Sequence, residues 1–158
     1  MIQVVVYNSI DTVRPNIPST LPITIQTMVK FTKLEIKAIE ASLELLERYS
    51  KSTPLPKNVK CNLIFTESNI VTLVAKESLP AYAIQAAIIN MELSRVNPDI
   101  SPSILMFNVL EELCHVLYLI NDEHQVKRVV VEILQQDIPQ MTLHGCYPNF
   151  FDEDNNPI

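Results

Sequence analysis

The sequence predicts an α+β fold in which a small mixed or antiparallel sheet packs against helices. Short segments rich in β-branched residues, typical of strands, are interspersed with long segments whose apolar residues recur at helical spacing. Of the 158 residues, 47% are hydrophobic and 19% are charged, a balance that is typical of a globular protein with one core. We therefore expect a single domain over residues 1–158, with a loop-like tail from about residue 140.

Strands are predicted where short apolar segments carry many β-branched residues. Two such segments are separated by the turn-forming residues 67–69, which predicts a hairpin. The segment 81–93 is ambiguous because its alanines favour a helix, and we expect a strand in its second half. The predicted strands span residues 3–7, 59–66, 70–76 and 88–93, and the short segment 23–28 stays ambiguous.

Helices are predicted where the apolar period is close to four and a start signal precedes it. The first helix begins at a capping box formed by Thr32 and Glu35. The second begins with Ser101 as its cap and Pro102 at its first position, where a missing N–H costs nothing. The predicted helices span residues 32–49, 101–120 and 123–137.

Charge and glycine content argue against several classes of function. The 12 basic and 18 acidic residues give a net charge of −6, so neither nucleic acid nor an anionic membrane surface is an expected partner. The single glycine, Gly145, argues against phosphate loops, dinucleotide-binding motifs and nucleophile elbows, which all need several glycines.

The cysteines and the N-terminal residues predict a cytoplasmic location. The three cysteines are odd in number and widely spaced, with no Cys-x-x-Cys pair, which is typical of reduced thiols. The first residues have no basic segment or cleavage site of a signal peptide.

The helix predicted over residues 101–120 carries the only concentrated polar chemistry. Apolar residues surround nearly all of it, which predicts burial. Asn108, Glu111, Glu112 and His115 follow one another at i, i+3, i+4 and i+7, so they form one stripe about 100° wide. This stripe is either a narrow solvent-exposed face or a site for chemistry.

The next helix adds one carboxylate to this arrangement. Its apolar stripe, counted back to the start of the helix, includes Glu123 and leaves out His124, Lys127 and Arg128. The sequence therefore predicts that Glu123 points inward, towards the preceding helix, and that the three basic residues lie outside.

Carboxylates and imidazole together suit Zn²⁺ or Fe²⁺, which accept oxygen and nitrogen ligands. Glu111 and His115 are one helical turn apart, so both could reach one ion. Glu112 lies beside them and could polarise a metal-bound water as a general base.

Residues 109–117, Val-Leu-Glu-Glu-Leu-Cys-His-Val-Leu, resemble the active-site helix of zincin-type metalloproteases, whose signature is His-Glu-x-x-His. The preceding helix, hairpin and edge strand resemble the zincin layout as well. The resemblance implies a zinc-dependent peptidase with Glu112 as base and His115 as ligand. In the gluzincin branch, a Glu on the next helix is the third ligand, which implies Glu123.

Glu111 stands where this signature has its first His. We expect Glu111 to act as a substitute ligand, which predicts a zincin-like metal-binding domain that is a degenerate or inactive metallopeptidase. One alternative is a non-catalytic protein on a protease-like scaffold, which binds a peptide or protein partner. A further alternative is a di-iron carboxylate protein, because Glu112-x-x-His115 also matches that motif.

Overall fold

The structure is a computed structural model that describes residues 14–67 and 85–158. Within these ranges the chain is a mixed α+β fold, so the predicted class is confirmed. The strands predicted over residues 3–7 and 70–76 lie outside the described residues. The strands are β1 (Ile23–Thr27), β2 (Cys61–Thr66) and β3 (Ala86–Asn90), and the helices are α1 (Lys33–Ser52), α2 (Met91–Ser94), α3 (Ser101–Leu117), α4 (Glu123–Leu134) and α5 (Leu143–Cys146).

The three described strands form a parallel sheet in the order β1-β2-β3, so the expected antiparallel pairing is wrong for them. Helix α1 connects β1 to β2, and a helical crossover of this kind returns the chain in the same direction. Both edges of β2 are paired, with β1 on one side and β3 on the other, and the second strand of the predicted hairpin lies outside the described residues.

The strand predicted over residues 88–93 is correct only in its first part. Strand β3 ends at Asn90, whose side chain accepts a hydrogen bond from the Glu92 N–H at 3.0 Å. This bond caps helix α2, which begins at Met91. The carboxyl end of β3 is thus followed at once by a short helix.

Helix α1 begins as predicted, with both hydrogen bonds of the capping box present. The Glu35 N–H donates to Thr32 Oγ1 at 3.2 Å, and the Thr32 N–H donates to Glu35 Oε2 at 2.7 Å. Glu35 also accepts a bond at 2.7 Å from Arg95, which follows α2. The start of α1 is therefore tied to the carboxyl end of the sheet.

Helix α3 lies at the centre of the fold and contacts α1, α2, α4 and the strands β2 and β3. Its N-cap is Ile100, with no side-chain cap bond, so the prediction that Ser101 caps it is wrong. It ends at Leu117, three residues earlier than predicted. Leu119 has φ 57°, a left-handed conformation that stops the helix.

The tail predicted to be loop-like is partly structured and belongs to the core. It contains helix α5, and Phe151 within it is completely buried. Phe151 also forms an isolated antiparallel bridge with Pro157. The segment therefore packs against the other elements, which sequence periodicity alone did not indicate.

None of the helices within the described ranges has both the length and the apolar composition needed to cross a membrane.

Substitution of Phe151 by alanine tests whether the tail contributes to the core. We expect Phe151→Ala to lower the free energy of unfolding by about 3–5 kcal/mol, because it leaves a large cavity. The control is Ile158→Ala, at a position that is 75% exposed, where the change should stay within about 0.5 kcal/mol. Urea unfolding of both variants measures this, and equal effects would show that the tail is not part of the core.

Candidate functional site

The polar stripe of α3 is half-buried along its whole length rather than open to solvent. Neighbouring residues partly cover each of the four side chains, those of Asn108, Glu111, Glu112 and His115. Asn108 donates a hydrogen bond to the Ser94 hydroxyl at the end of α2, at 3.1 Å. The stripe therefore lies under neighbouring elements, and its polar groups must find partners there.

His115 is held in a defined orientation by the chain that leaves α3. Its Nδ1 lies 2.6 Å from the Ile120 carbonyl oxygen, and because a carbonyl can only accept, Nδ1 carries the proton. The left-handed residue Leu119 brings that carbonyl back towards the helix. Nε2 of His115 lies 3.4 Å from Glu123 Oε1 on α4.

Lys127 lies at the centre of this cluster, although the sequence predicted it outside. It is only 5% exposed. Its Nζ lies 2.9 Å from Glu123 Oε2 and 3.4 Å from Glu111 Oε2. The inward face of this helix was predicted from its apolar residues alone. A lysine can still lie on that face, because its apolar stem is buried while its ammonium reaches a carboxylate.

Glu123 does not point into the core, contrary to the prediction. Its side chain is 57% exposed, and it reaches the cluster through its carboxylate. The hydrogen bond from Lys127 lowers the pKa of Glu123 below its ordinary value, and the positive charge of Lys127 adds to this effect. Glu123 is thus a rim residue that covers Lys127 from the solvent side.

Glu112 has the opposite electrostatic character. Burial raises the pKa of this carboxyl above its ordinary value, and the charges of Glu111 and Glu123 add to the increase. The nearby His115 and Lys127 oppose the increase. Two carboxylates of one small cluster are therefore shifted in opposite directions.

The tail supplies two aromatic residues that the sequence analysis missed. Lys127 Nζ lies 4.2 Å from the ring centroid of Phe150 and 5.3 Å from that of Tyr147, so the ammonium faces two aromatic rings. No motif in the sequence connects the tail to α3. Lys127 itself had a signal, because it follows Glu123 by four residues, the spacing of a helical ion pair.

Tyr147 contributes a polar group as well as its ring. Its hydroxyl is buried and has no hydrogen-bond partner among the residues that the structure describes. Burial raises the pKa of Tyr147 well above its usual range, and the negative charge of Glu111 contributes. A hydrogen bond to Glu111 also contributes to this increase in pKa, so Glu111 is close enough to accept from the hydroxyl although the geometry falls short of a full hydrogen bond.

Of the three predicted metal ligands, His115 and Glu123 lie 3.4 Å apart, and Glu111 is linked to Glu123 through Lys127. The ammonium of Lys127 lies between Glu111 and Glu123, and its charge repels a second cation. Across residues 14–67 and 85–158, no group of three or more His, Cys, Asp or Glu side chains is arranged to hold a metal. Zinc binding, with Glu112 as base, stays a prediction.

Comparison of the chain with family models, with curated proteins and with solved structures finds no match. The resemblance to zincins therefore depends on the residues of α3 and α4 themselves. The parallel sheet argues against the four-helix bundle that the di-iron alternative requires.

The opposite pKa shifts predict opposite effects of two isosteric substitutions. The raised pKa of Glu112 makes its ionised form unfavourable in the folded state, so its destabilising effect grows as the pH rises through that pKa. The lowered pKa of Glu123 stabilises the fold above the ordinary carboxyl pKa, and this effect is lost as the pH falls. At pH 7 we expect Glu112→Gln to raise the stability and Glu123→Gln to lower it.

Thermal unfolding of both variants at pH 7 and at pH 3.5 measures these effects. Near pH 3.5 the difference for Glu112→Gln should shrink, because this carboxyl is then protonated in the folded and unfolded states alike. The difference for Glu123→Gln should shrink later, because the lowered pKa of Glu123 keeps it ionised in the folded state to lower pH. A Glu112→Gln variant that is less stable than the wild type at pH 7 would contradict the assignment.

Proposed function

We propose that this domain is a non-catalytic, protein-binding module on a protease-like scaffold. The observation that carries the proposal is a set of exposed apolar side chains at the carboxyl end of the sheet. Leu93, Val96 and Ile100 are exposed by 64, 77 and 50%. They lie on α2 and on the connection to α3, so three large apolar side chains within eight residues face solvent.

An open groove lies beside these side chains and extends the apolar surface. It has a volume of about 300 Å³. Leu34 of α1, Pro98 and Pro102 line it together with the Arg95 side chain. Exposed apolar surface with a polar rim is typical of sites for protein partners. We call Leu34, Leu93, Val96 and Ile100 the apolar edge.

Ionic contacts hold the apolar edge in place. Arg95 donates to both carboxylate oxygens of Glu35, at 2.7 and 3.0 Å, and to Glu67 at 2.8 Å. It also donates to the Lys30 carbonyl oxygen at 2.8 Å. One guanidinium thus joins the start of α1, the end of β2 and the residue after α2. A preformed surface binds with less loss of conformational entropy than a flexible one.

The arrangement at α3 supports the non-catalytic part of the proposal. Glu111 replaces the first His of the zincin signature, and its carboxylate faces Lys127 rather than an open position. The three cysteines are free thiols, which supports our expectation of a reducing, cytoplasmic location.

Introduction of charge into the apolar edge tests the proposal. Wild-type protein, immobilised by one terminus, is used to capture partners from lysate, and each captured protein is then purified and titrated. We expect Leu93→Glu and Val96→Glu to weaken the Kd at least about tenfold, because a buried charge replaces an apolar contact.

The matched control is Ile158→Glu, at an exposed apolar residue near the C-terminus, which should leave the Kd unchanged. All variants should retain the wild-type circular dichroism spectrum. Equal affinity for wild type, Leu93→Glu and Val96→Glu would overturn the apolar edge as the binding surface.

A further inference from the structure

We infer that the groove beside the apolar edge binds the main chain of an apolar peptide segment, whose carbonyl oxygen accepts a hydrogen bond from Ser101. This role rests on the proposed function and names the part of a protein partner that the surface takes. The first residues of two helices, α1 and α3, lie together in the wall of this groove.

Ser101 is a polar residue of the groove wall whose side chain has no partner in the described part of the chain. Only 8% of the residue is exposed, and this residue lines the groove. Its hydroxyl makes no hydrogen bond with residues 14–67 or 85–158. A polar group that is buried without a partner lowers the stability of the fold. A ligand that pairs with the hydroxyl would therefore remove this unfavourable contribution.

The backbone of Ser101 offers a second donor. Ser101 is the first residue of α3, and the side chain of Ile100 before it cannot cap the helix. Within the described ranges, no backbone acceptor pairs with the Ser101 N–H. The N-terminus of this 17-residue helix carries partial positive charge, and no acidic residue occupies its first turn. The hydroxyl and the N–H together suit an oxygen acceptor.

The charged groups around the groove compensate one another, so the acceptor that fits best is neutral. The two carboxylate oxygens of Glu35 accept from Arg95 at 2.7 and 3.0 Å, and one of them also accepts from the Thr32 N–H at 2.7 Å. Arg95 donates to Glu67 as well, at 2.8 Å. A carboxylate ligand would meet two carboxylates that share one guanidinium, whereas a carbonyl oxygen avoids this repulsion.

The apolar surroundings indicate which kind of molecule carries the carbonyl group. Leu34, Pro98 and Pro102 line the groove, and the exposed side chains of the apolar edge lie beside it. A peptide segment has both features, because its apolar side chains can pack on the apolar edge while its main-chain carbonyl pairs with Ser101. Peptide recognition commonly combines main-chain hydrogen bonds with apolar contacts of this kind.

The experiment is titration of the full chain with N-acetyl-Leu-Leu N-methylamide, an uncharged apolar dipeptide, followed by amide NMR spectra. We expect the signals of Ser101 and of the apolar edge to shift in a saturable way, which gives a Kd. Leu93→Glu should abolish the shifts, because it places a charge where the apolar side chains of the dipeptide pack.

Substitution of Ser101 separates the hydrogen bond from the apolar contact. We expect Ser101→Ala to weaken the Kd about three- to tenfold, the effect of one hydrogen bond. The same variant should have a Tm equal to or above that of the wild type, because its hydroxyl has no partner in the free protein. Ser103→Ala, at an exposed serine of the same helix, is the matched control and should leave the Kd unchanged.

Several results would overturn the inference. Wild-type affinity of Ser101→Ala, together with loss of binding by Leu93→Glu, would keep the apolar edge as a binding surface and remove Ser101 from it. A lower Tm of Ser101→Ala would show that the hydroxyl stabilises the free protein. Tighter binding of N-acetyl-Leu-Leu, which ends in a carboxylate, would assign the groove to a chain terminus.

Failure of the wild type to bind the uncharged dipeptide would also overturn the inference. The proposed function would then still be decided separately, by the effects of Leu93→Glu and Val96→Glu on captured protein partners.

Discussion

The burial of α3 is the constraint on which the rest of the structure depends. This helix packs against α1, α4 and the strands β2 and β3, and Leu105, Val109 and Leu113 within it are completely buried. A central helix of this kind has no broad solvent-exposed face. Its few polar side chains therefore have to be compensated by the elements that cover it.

The compensation comes from three separate parts of the chain. Helix α4 provides Lys127, the connection after α3 provides the Ile120 carbonyl oxygen, and the tail provides the rings of Tyr147 and Phe150. The two surfaces described above therefore differ in character. The charged groups of the polar cluster pair with one another around the buried Lys127, whereas the apolar side chains beside α2 face solvent.

Much of the local structure follows from local sequence. The capping box of Thr32 and Glu35 sets the start of α1, and Asp122 caps α4 with a bond from the Gln125 N–H. Boundaries were less well predicted where backbone geometry decides them. Helix α3 ends early because Leu119 adopts a left-handed conformation, which few leucines adopt and which periodicity does not indicate.

The sequence by itself determined the α+β class, the main helices and the stripe of Glu111, Glu112 and His115, because these depend on residue type and helical period. Only the tertiary structure decided the direction of the strands and the position of Lys127 and Tyr147. The parallel direction of β1 and β2 depends on the crossover through α1. The position of Lys127 depends on a carboxylate sixteen residues away and on a tail that covers it, and no local pattern encodes such contacts.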